Sequence, residues 1–555
     1  MSTFQPDGTN PAKALSSVHG APASLETEEL KRHKLTVKEF AGSRAAQERL
    51  IQEWKSEIEA TVKKACPLDF FPQEFVVVSW QQLQVILARE GFPKRYEHWR
   101  FGQAFESQKV NDTYGLGRVY ELVINTDPCV AYLLDSNSVQ ETRTVMAHVY
   151  FHNIFFKHNP YFAGSDRRML NKMGEHADRI KRYQEEYGPQ EVESFLDLCL
   201  SLDNLIDIHS VALRRARDEI IVRSNLERRI VEPIRPVRFD VPEYLDRYVN
   251  PPDVLKAQVE REQRERDKRL KLNPSEPEQD ILLFLMKYAP LESWQQDILS
   301  MIRDEAYYFA PQRMTKIMNE GWASYWHSKV MTEHLLPLHP CETVDYCDFN
   351  AGVLRPWGSS INPYRFGVRL LRDIEDRWDK GKFGPEWESC RDMEERRNWD
   401  KKLGLGLEEI IRAMLTHNDL TFIYHYLTPD FCAENKLHIN RTDSDGEVHI
   451  SSEDFQNIRG MITRSLTNMG QPMLSVVNAN HANRGELVVL HNFDGQALDM
   501  EYAKATCKNL HRLWTRPVHV LTQSEKGESI ALHYANSAFS VDKMAGEYTS
   551  YLPSE

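Results

Sequence analysis

The stretch Met318-Asn319-Glu320-Gly321-Trp322-Ala323-Ser324-Tyr325-Trp326-His327 constrains this chain more than any other. It lies inside a long helical pattern and sets an acid and an imidazole on one helical face. Gly, Ser and two Trp separate them, an odd mixture for a plain core helix. Far upstream, His148-Val149-Tyr150-Phe151-His152 offers a second face of the same chemistry. Together the two faces point to a buried metal or acid/base centre. The bland alternative is that Trp322, Tyr325 and Trp326 pack a core while Glu320 pairs with Arg303, Arg313 or Lys316.

Composition narrows the class. A chain of 555 residues is too long for a single core, and about two to four domains are expected. Its 41% hydrophobic and 10% aromatic content is that of a folded globular protein. With 69 basic against 82 acidic residues the net charge is -13, which argues against a large nucleic-acid footprint. No apolar run approaches the roughly 20 residues of a membrane span; Ile281 to Met286 is among the longest. Met1 to Leu25 lacks a basic start followed by an apolar core, which argues against a secretory signal. The eight Cys are scattered, Cys341 and Cys347 being closest, and none has zinc-ribbon spacing. A cytoplasmic protein without disulfides, with no nucleic acid and no membrane insertion, is the expectation.

The pattern along the chain predicts a mainly α fold with a C-terminal α+β domain, the large helical N-terminal region being the place for a buried His/Glu centre. Residues 1–35 read as a flexible tail and 36–250 as a mixed, mostly helical region. Residues 251–280 read as a charged helix or linker, dense in Glu, Arg and Lys that pair four apart. Residues 281–435 form a helical region carrying the Glu320 segment, and 436–555 a small α+β domain. Helices are predicted over 45–64, 80–90, 140–157, 191–210, 291–309 and 311–335, with Pro311 opening the last. After residue 436, a helix over 451–467 capped by Ser452 precedes strands at 472–477 and 486–491. A helix over 498–514 and strands at 518–522 and 529–534 follow.

The chemistry-bearing residues are few. His148 and His152, four apart, project from one face of a helix, which is half of many zinc and iron sites. The zinc-protease pattern would put Glu directly after the first His, where Val149 stands; two hydrogen-bonded core or surface histidines are the alternative. Glu320 and His327 are two turns apart, about 10 Å along the axis, too far for one ion. Glu320 is therefore the candidate third ligand, with His327 beside it as a support, a substrate contact or part of a second metal position. Asp203, Asp207 and His209 fall in one predicted helix and read as a solvated end. His417, Asn418, Asp419 and His425 read as the cap of an apolar helix, and Asn362-Pro363-Tyr364 as a turn.

Several segments carry a family resemblance: Tyr96-Glu97-His98-Trp99-Arg100-Phe101-Gly102, Asn125-Thr126-Asp127-Pro128-Cys129, and Met146-Ala147-His148 through His152-Asn153. Tyr308-Phe309-Ala310-Pro311-Gln312, Met318 to His327, Asn483-Arg484-Gly485-Glu486-Leu487 and Leu513-Trp514 with Arg516-Pro517-Val518 follow in order. The chain resembles the SpoVR family, the stage V sporulation protein R-like proteins, from about residue 45 to 523. It departs from the family's usual pattern at Phe151, where Gly is commoner. The resemblance implies an association with sporulation and spore cortex formation or with a stress-response module. Family gene neighbourhood implies a serine kinase and a von Willebrand-type protein as partners.

Two readings follow. In the first, His148, His152 and Glu320 hold one divalent ion, zinc or iron, in a metal-dependent hydrolase. The absent Glu at Val149 then calls for another base, for which His327, Asp304 and Glu305 are candidates. In the second, the protein is a non-catalytic regulator or scaffold acting through its C-terminal domain, and the polar centre is structural.

Overall fold

Leu50, Ile51, Trp54, Ile58 and Val62 recur at three- and four-residue spacing, and all are buried along one face of helix α1, Arg44–Ala65. Ser43 opens α1 by accepting the Ala46 N–H. This computed structural model describes residues 28–113, 121–210, 236–239, 241–269, 274, 276–356, 361–442, 448–544 and 546. The tail expected over 1–35 is helical in its last part, within Glu28–Phe40, and residues 1–27 lie outside the described residues. Strands β1 (Gln73–Val78), β2 (Glu121–Ile124) and β3 (Cys129–Leu134) form a sheet in the order β1-β3-β2. β1 runs parallel and β2 antiparallel to β3. Every residue of β3 is buried, because both faces of this central strand are covered. Its unbroken apolar run follows from that.

Helix α2, Val139–His158, starts on a capping box between Ser138 and Glu141 and is buried from Thr142 through Phe156. Such all-round burial makes α2 a central helix rather than a covering one. Helices α3 (Ser293–Met314), α4 (Lys316–Val330), α5 (Thr343–Val353), α6 (Pro363–Lys380) and α7 (Asp419–Tyr426) complete this part of the fold. α4 packs against both α2 and α6. Its contact with α6 is a backbone crossing: a Cβ on Gly321 would stand 2.5 Å from Gly367 Cα, and one on Gly367 would stand 2.6 Å from Gly321 Cα. Only two glycines allow that approach. α1, α2, α4, α6, α7 and one face of the sheet share a single apolar core, in which the Phe151 ring stacks on Trp326 with centroids 5.6 Å apart.

Pro311 does not open the second helix. It sits inside α3, and the chain breaks at Thr315 instead, whose hydroxyl donates to the Pro311 carbonyl. α4 has no side-chain cap from its own N-cap residue. Asp419, a hundred residues downstream in sequence, accepts the N–H groups of Ile317 and Met318, each at 2.8 Å. The start of α4 is thus decided by tertiary contact. Asn362 is not in a free turn: it caps α6, and Pro363 takes the first helical position. The helix expected over 191–210 is Pro189–Leu200, so Asp203, Asp207 and His209 lie in the turns beyond it.

In the C-terminal part, β4 (Ile439–Thr442) and β5 (Val448–Ser452) pair antiparallel. Ser452 is therefore a strand residue, and Asp454 caps the helix Phe455–Leu466. Strands β6 (Leu474–His481) and β7 (Glu486–His491), helix α8 (Met500–Trp514), and strands β8 (Val518–Gln523), β9 (Ser529–Ala535) and β10 (Ala538–Lys543) follow. The sheet order is β10-β9-β8-β7-β6, with β7 and β8 parallel. β10 is an edge strand missing from the predicted elements; it is mostly exposed, with only Phe539 partly buried. The architecture is mainly α with a C-terminal α+β part. That sheet shares its inner core with helix Ile281–Tyr288 and α3, through Val476, Leu487, Val489, Ile281 and Ile298. Among the described residues, no helix is long and apolar enough to cross a membrane.

Two outcomes follow. Gly321→Ala or Gly367→Ala should destabilise the protein by about 1–3 kcal/mol or prevent folding, as overpacking does, read by chemical denaturation. Burial pushes the Asp419 carboxyl up to about 7, against its two backbone donors and with the help of Glu320. The native state then holds a proton that the unfolded chain releases at the ordinary aspartate value. Stability should therefore fall as pH rises from about 4 to 7, and Asp419→Asn should flatten that part of the profile.

Candidate metal centre

One helical turn separates His148 from His152, so α2 aims both imidazoles at the same side, with ring centroids 4.5 Å apart. α4 crosses that side with Glu320. Glu320 Oε2 lies 3.6 Å from His148 Nε2 and 3.4 Å from His152 Nε2. One donor atom from each of the three residues lies within 4.8 Å of the others. These separations exceed a direct hydrogen bond. They match the edges of a coordination tetrahedron, since ligand bonds of about 2.0–2.1 Å set neighbouring donors about 3.3–3.4 Å apart. Among the described residues, this is the one group of three or more His, Cys, Asp or Glu side chains placed to share an ion.

The far side of each imidazole is held. His152 Nδ1–H donates to Asn319 Oδ1 at 2.9 Å, and an amide oxygen can only accept. In a neutral His152 the Nε2 lone pair therefore faces the carboxylate oxygen of Glu320. Two acceptors so placed repel unless a cation, a proton or a metal ion, lies between them. His148 Nδ1 is 2.8 Å from His327 Nδ1. One of these two nitrogens carries the proton, and a ligand-ready His148 needs it on its own Nδ1, with His327 accepting. Burial, and then His148, push the His327 imidazole well below its ordinary value, so it is neutral and suited to accept. Burial opposes charge on Glu320, whose side chain is 17% exposed, yet the two imidazoles hold its carboxyl well below the usual carboxylate range. Its Oε2 is enclosed and accepts no hydrogen bond among the described residues. Enclosed donor atoms of N, N and O type fit a divalent transition-metal ion.

The structure thus brings His148, His152 and Glu320 together, with His327 directly behind His148. Glu320 pairs with neither Arg303 nor Lys316. Glu305 is placed elsewhere, bonded to Arg95 at 2.5 Å, Tyr96 at 3.3 Å and His176 at 3.1 Å. Burial opposes its charge, but Arg95 and His176 keep its carboxyl lowered. A carboxylate so occupied belongs to a buried ion cluster. Asp304 faces Lys172 at 3.6 Å and is 42% exposed. Neither α3 carboxylate contributes to the three-residue centre, because α3 and α4 diverge at Thr315. Asn319 was overlooked as an orienting group although it precedes Glu320. Tyr364, whose ring stacks on His148 with centroids 6.2 Å apart, lay hidden in the predicted turn.

The family described as SpoVR like protein matches residues 45–471, and the SpoVR-like C-terminal domain matches residues 472–525. "Uncharacterized protein YcgB" of Escherichia coli is 30% identical over 499 residues, covering 84% of this chain and 90% of that protein. No solved structure matches. With nearly its whole described length matched, the chain belongs to the SpoVR family.

Proposed function

We propose that this SpoVR-family protein binds one divalent ion, zinc or iron, at His148, His152 and Glu320, and that it carries out metal-dependent hydrolysis. The observation that supports this most is the enclosed Oε2 of Glu320, facing two imidazole Nε2 atoms at coordination distances. Two His and one Glu leave a coordination position open, as catalytic zinc sites do. An ion held there supplies Lewis-acid activation of water or of an amide or ester carbonyl.

The chain's own residues have separable tasks. Asn319 and His327 fix the tautomer and orientation of His152 and His148, so their Nε2 lone pairs face inward. His327 is then a positioning residue: its Nδ1 is taken up by His148, which leaves it poorly placed as a base. Glu305 is committed to Arg95 and His176 and drops out of the catalytic reading. The physiological setting we propose rests on the family resemblance alone: spore cortex formation or a stress-response module, with a serine kinase and a von Willebrand-type protein as partners.

Elemental analysis of purified protein should find about one zinc or iron per chain. His148→Ala and Glu320→Gln should lose it while keeping the wild-type circular dichroism. A folded wild type that holds no metal under these conditions would sink this reading and favour a regulatory scaffold acting through the C-terminal domain. His327→Ala and Asn319→Ala should retain the site but weaken metal affinity about 10- to 100-fold, measured by competition with a chelator. An unchanged affinity would remove both from the orienting role. Hydrolysis of chromogenic amide and ester substrates should appear only with metal and vanish in Glu320→Gln.

A further inference from the structure

Helices α4, α5 and α6 line an open cavity of about 520 Å³ whose wall includes Ser328, next in sequence to His327. The His327 ring meets Tyr346 of α5 edge-on, with centroids 6.5 Å apart, and Tyr346 lines the cavity. That volume lies within the roughly 300–1,000 Å³ of small-molecule sites. The Tyr346 side chain is buried, yet its hydroxyl has no hydrogen-bond partner among the described residues. The hydroxyl of Tyr325, also on the cavity wall, faces the Glu375 carboxylate. A buried hydroxyl without a partner is costly, and that of Tyr346 calls for a ligand that accepts from it.

The charge of the cavity has a definite sign. Lys329 and Glu375 on its rim neutralise each other at 2.6 Å. Arg372 makes no ion pair among the described residues; its Nη2 donates only to Ser328 Oγ, at 3.2 Å. Arg365 and Arg369 lie on the same helix at spacings of seven and three residues from Arg372, and they bond only neutral oxygens of Leu354 and Asn435. Arg365 and Arg372 both repel the Arg369 guanidinium. An anion beside Arg372 would relieve that repulsion while accepting from the Tyr346 hydroxyl. The remaining lining, with Ala351 and the Tyr325 and Tyr346 rings, is largely apolar.

We infer that this cavity is a binding site for a small organic anion, a carboxylate or phosphate ester with an apolar body, held by Arg372 and Tyr346. The site adjoins His327 but uses none of the three candidate ligands, so it stands or falls independently of the metal.

Titration calorimetry of the full chain with benzoate and with phenyl phosphate, the neutral benzamide serving as control, tests this. At least one anion should bind at millimolar or lower concentration, and benzamide should not. Arg372→Gln and Tyr346→Phe should each weaken the bound anion about tenfold with thermal unfolding unchanged; His148→Ala should leave its affinity unchanged. The two anions distinguish a carboxylate from a phosphate preference. Absence of binding by both anions, equal binding of benzamide, or undiminished binding in both cavity variants overturns the proposal.

Discussion

A carboxylate enters a helical core only with a counter-charge, and the arrangement around Glu320 follows from that rule. Removing one ion from water costs several kcal/mol even after relaxation. Glu320 meets the cost by facing two imidazoles from a neighbouring helix. Those imidazoles in turn need oriented lone pairs or protons, and Asn319 and His327 supply the hydrogen bonds that orient them. Each layer exists because the one inside it would otherwise be unsatisfied. His327, buried and neutral, stands between His148 and Tyr346 of the cavity wall.

Backbone geometry makes this possible. α4 reaches the centre of the bundle because Gly321, next to Glu320, meets Gly367 with no side chain between them. Asp419 terminates the same helix from a distant part of the chain. Rotation of α4 about its axis is thereby restricted from two directions, and Glu320 is aimed at α2. Trp322 and Trp326, which looked out of place beside an acid, fill the apolar core on the other side of that helix. The segment is amphipathic in an unusual sense, with a polar stripe buried as deeply as its apolar one.

Much of this was legible before any coordinates. Three- and four-residue spacing marks α1 and α8, since burial on one face demands it. The pairing of His148 with His152 follows from helical geometry alone, and Glu320 was identified as the third member from its residue type and helical setting. Less legible were the elements whose ends depend on remote partners. Pro311 looked like a helix start because a local rule favours it there, but Asp419 moves the boundary to Thr315. Asn362 looked like a turn because its role as a cap is visible only once α6 is seen to follow. Glu305 looked like a base because sequence shows no Arg95 or His176 beside it.

By itself, the sequence determined the helical character, the family and the identities of the three candidate ligands. Those properties rest on residue type and on spacing within single elements, both of which are local. Tertiary structure alone decided that two helices 160–180 residues apart in sequence bring their polar stripes to coordination distance. It also decided that His327 stands behind His148 rather than beside Glu320, and that Glu305 is taken up in another cluster. The physical reason is range: propensity and periodicity act within a few residues. The crossing angle of α2 and α4 depends on how side chains and two glycines from distant segments pack.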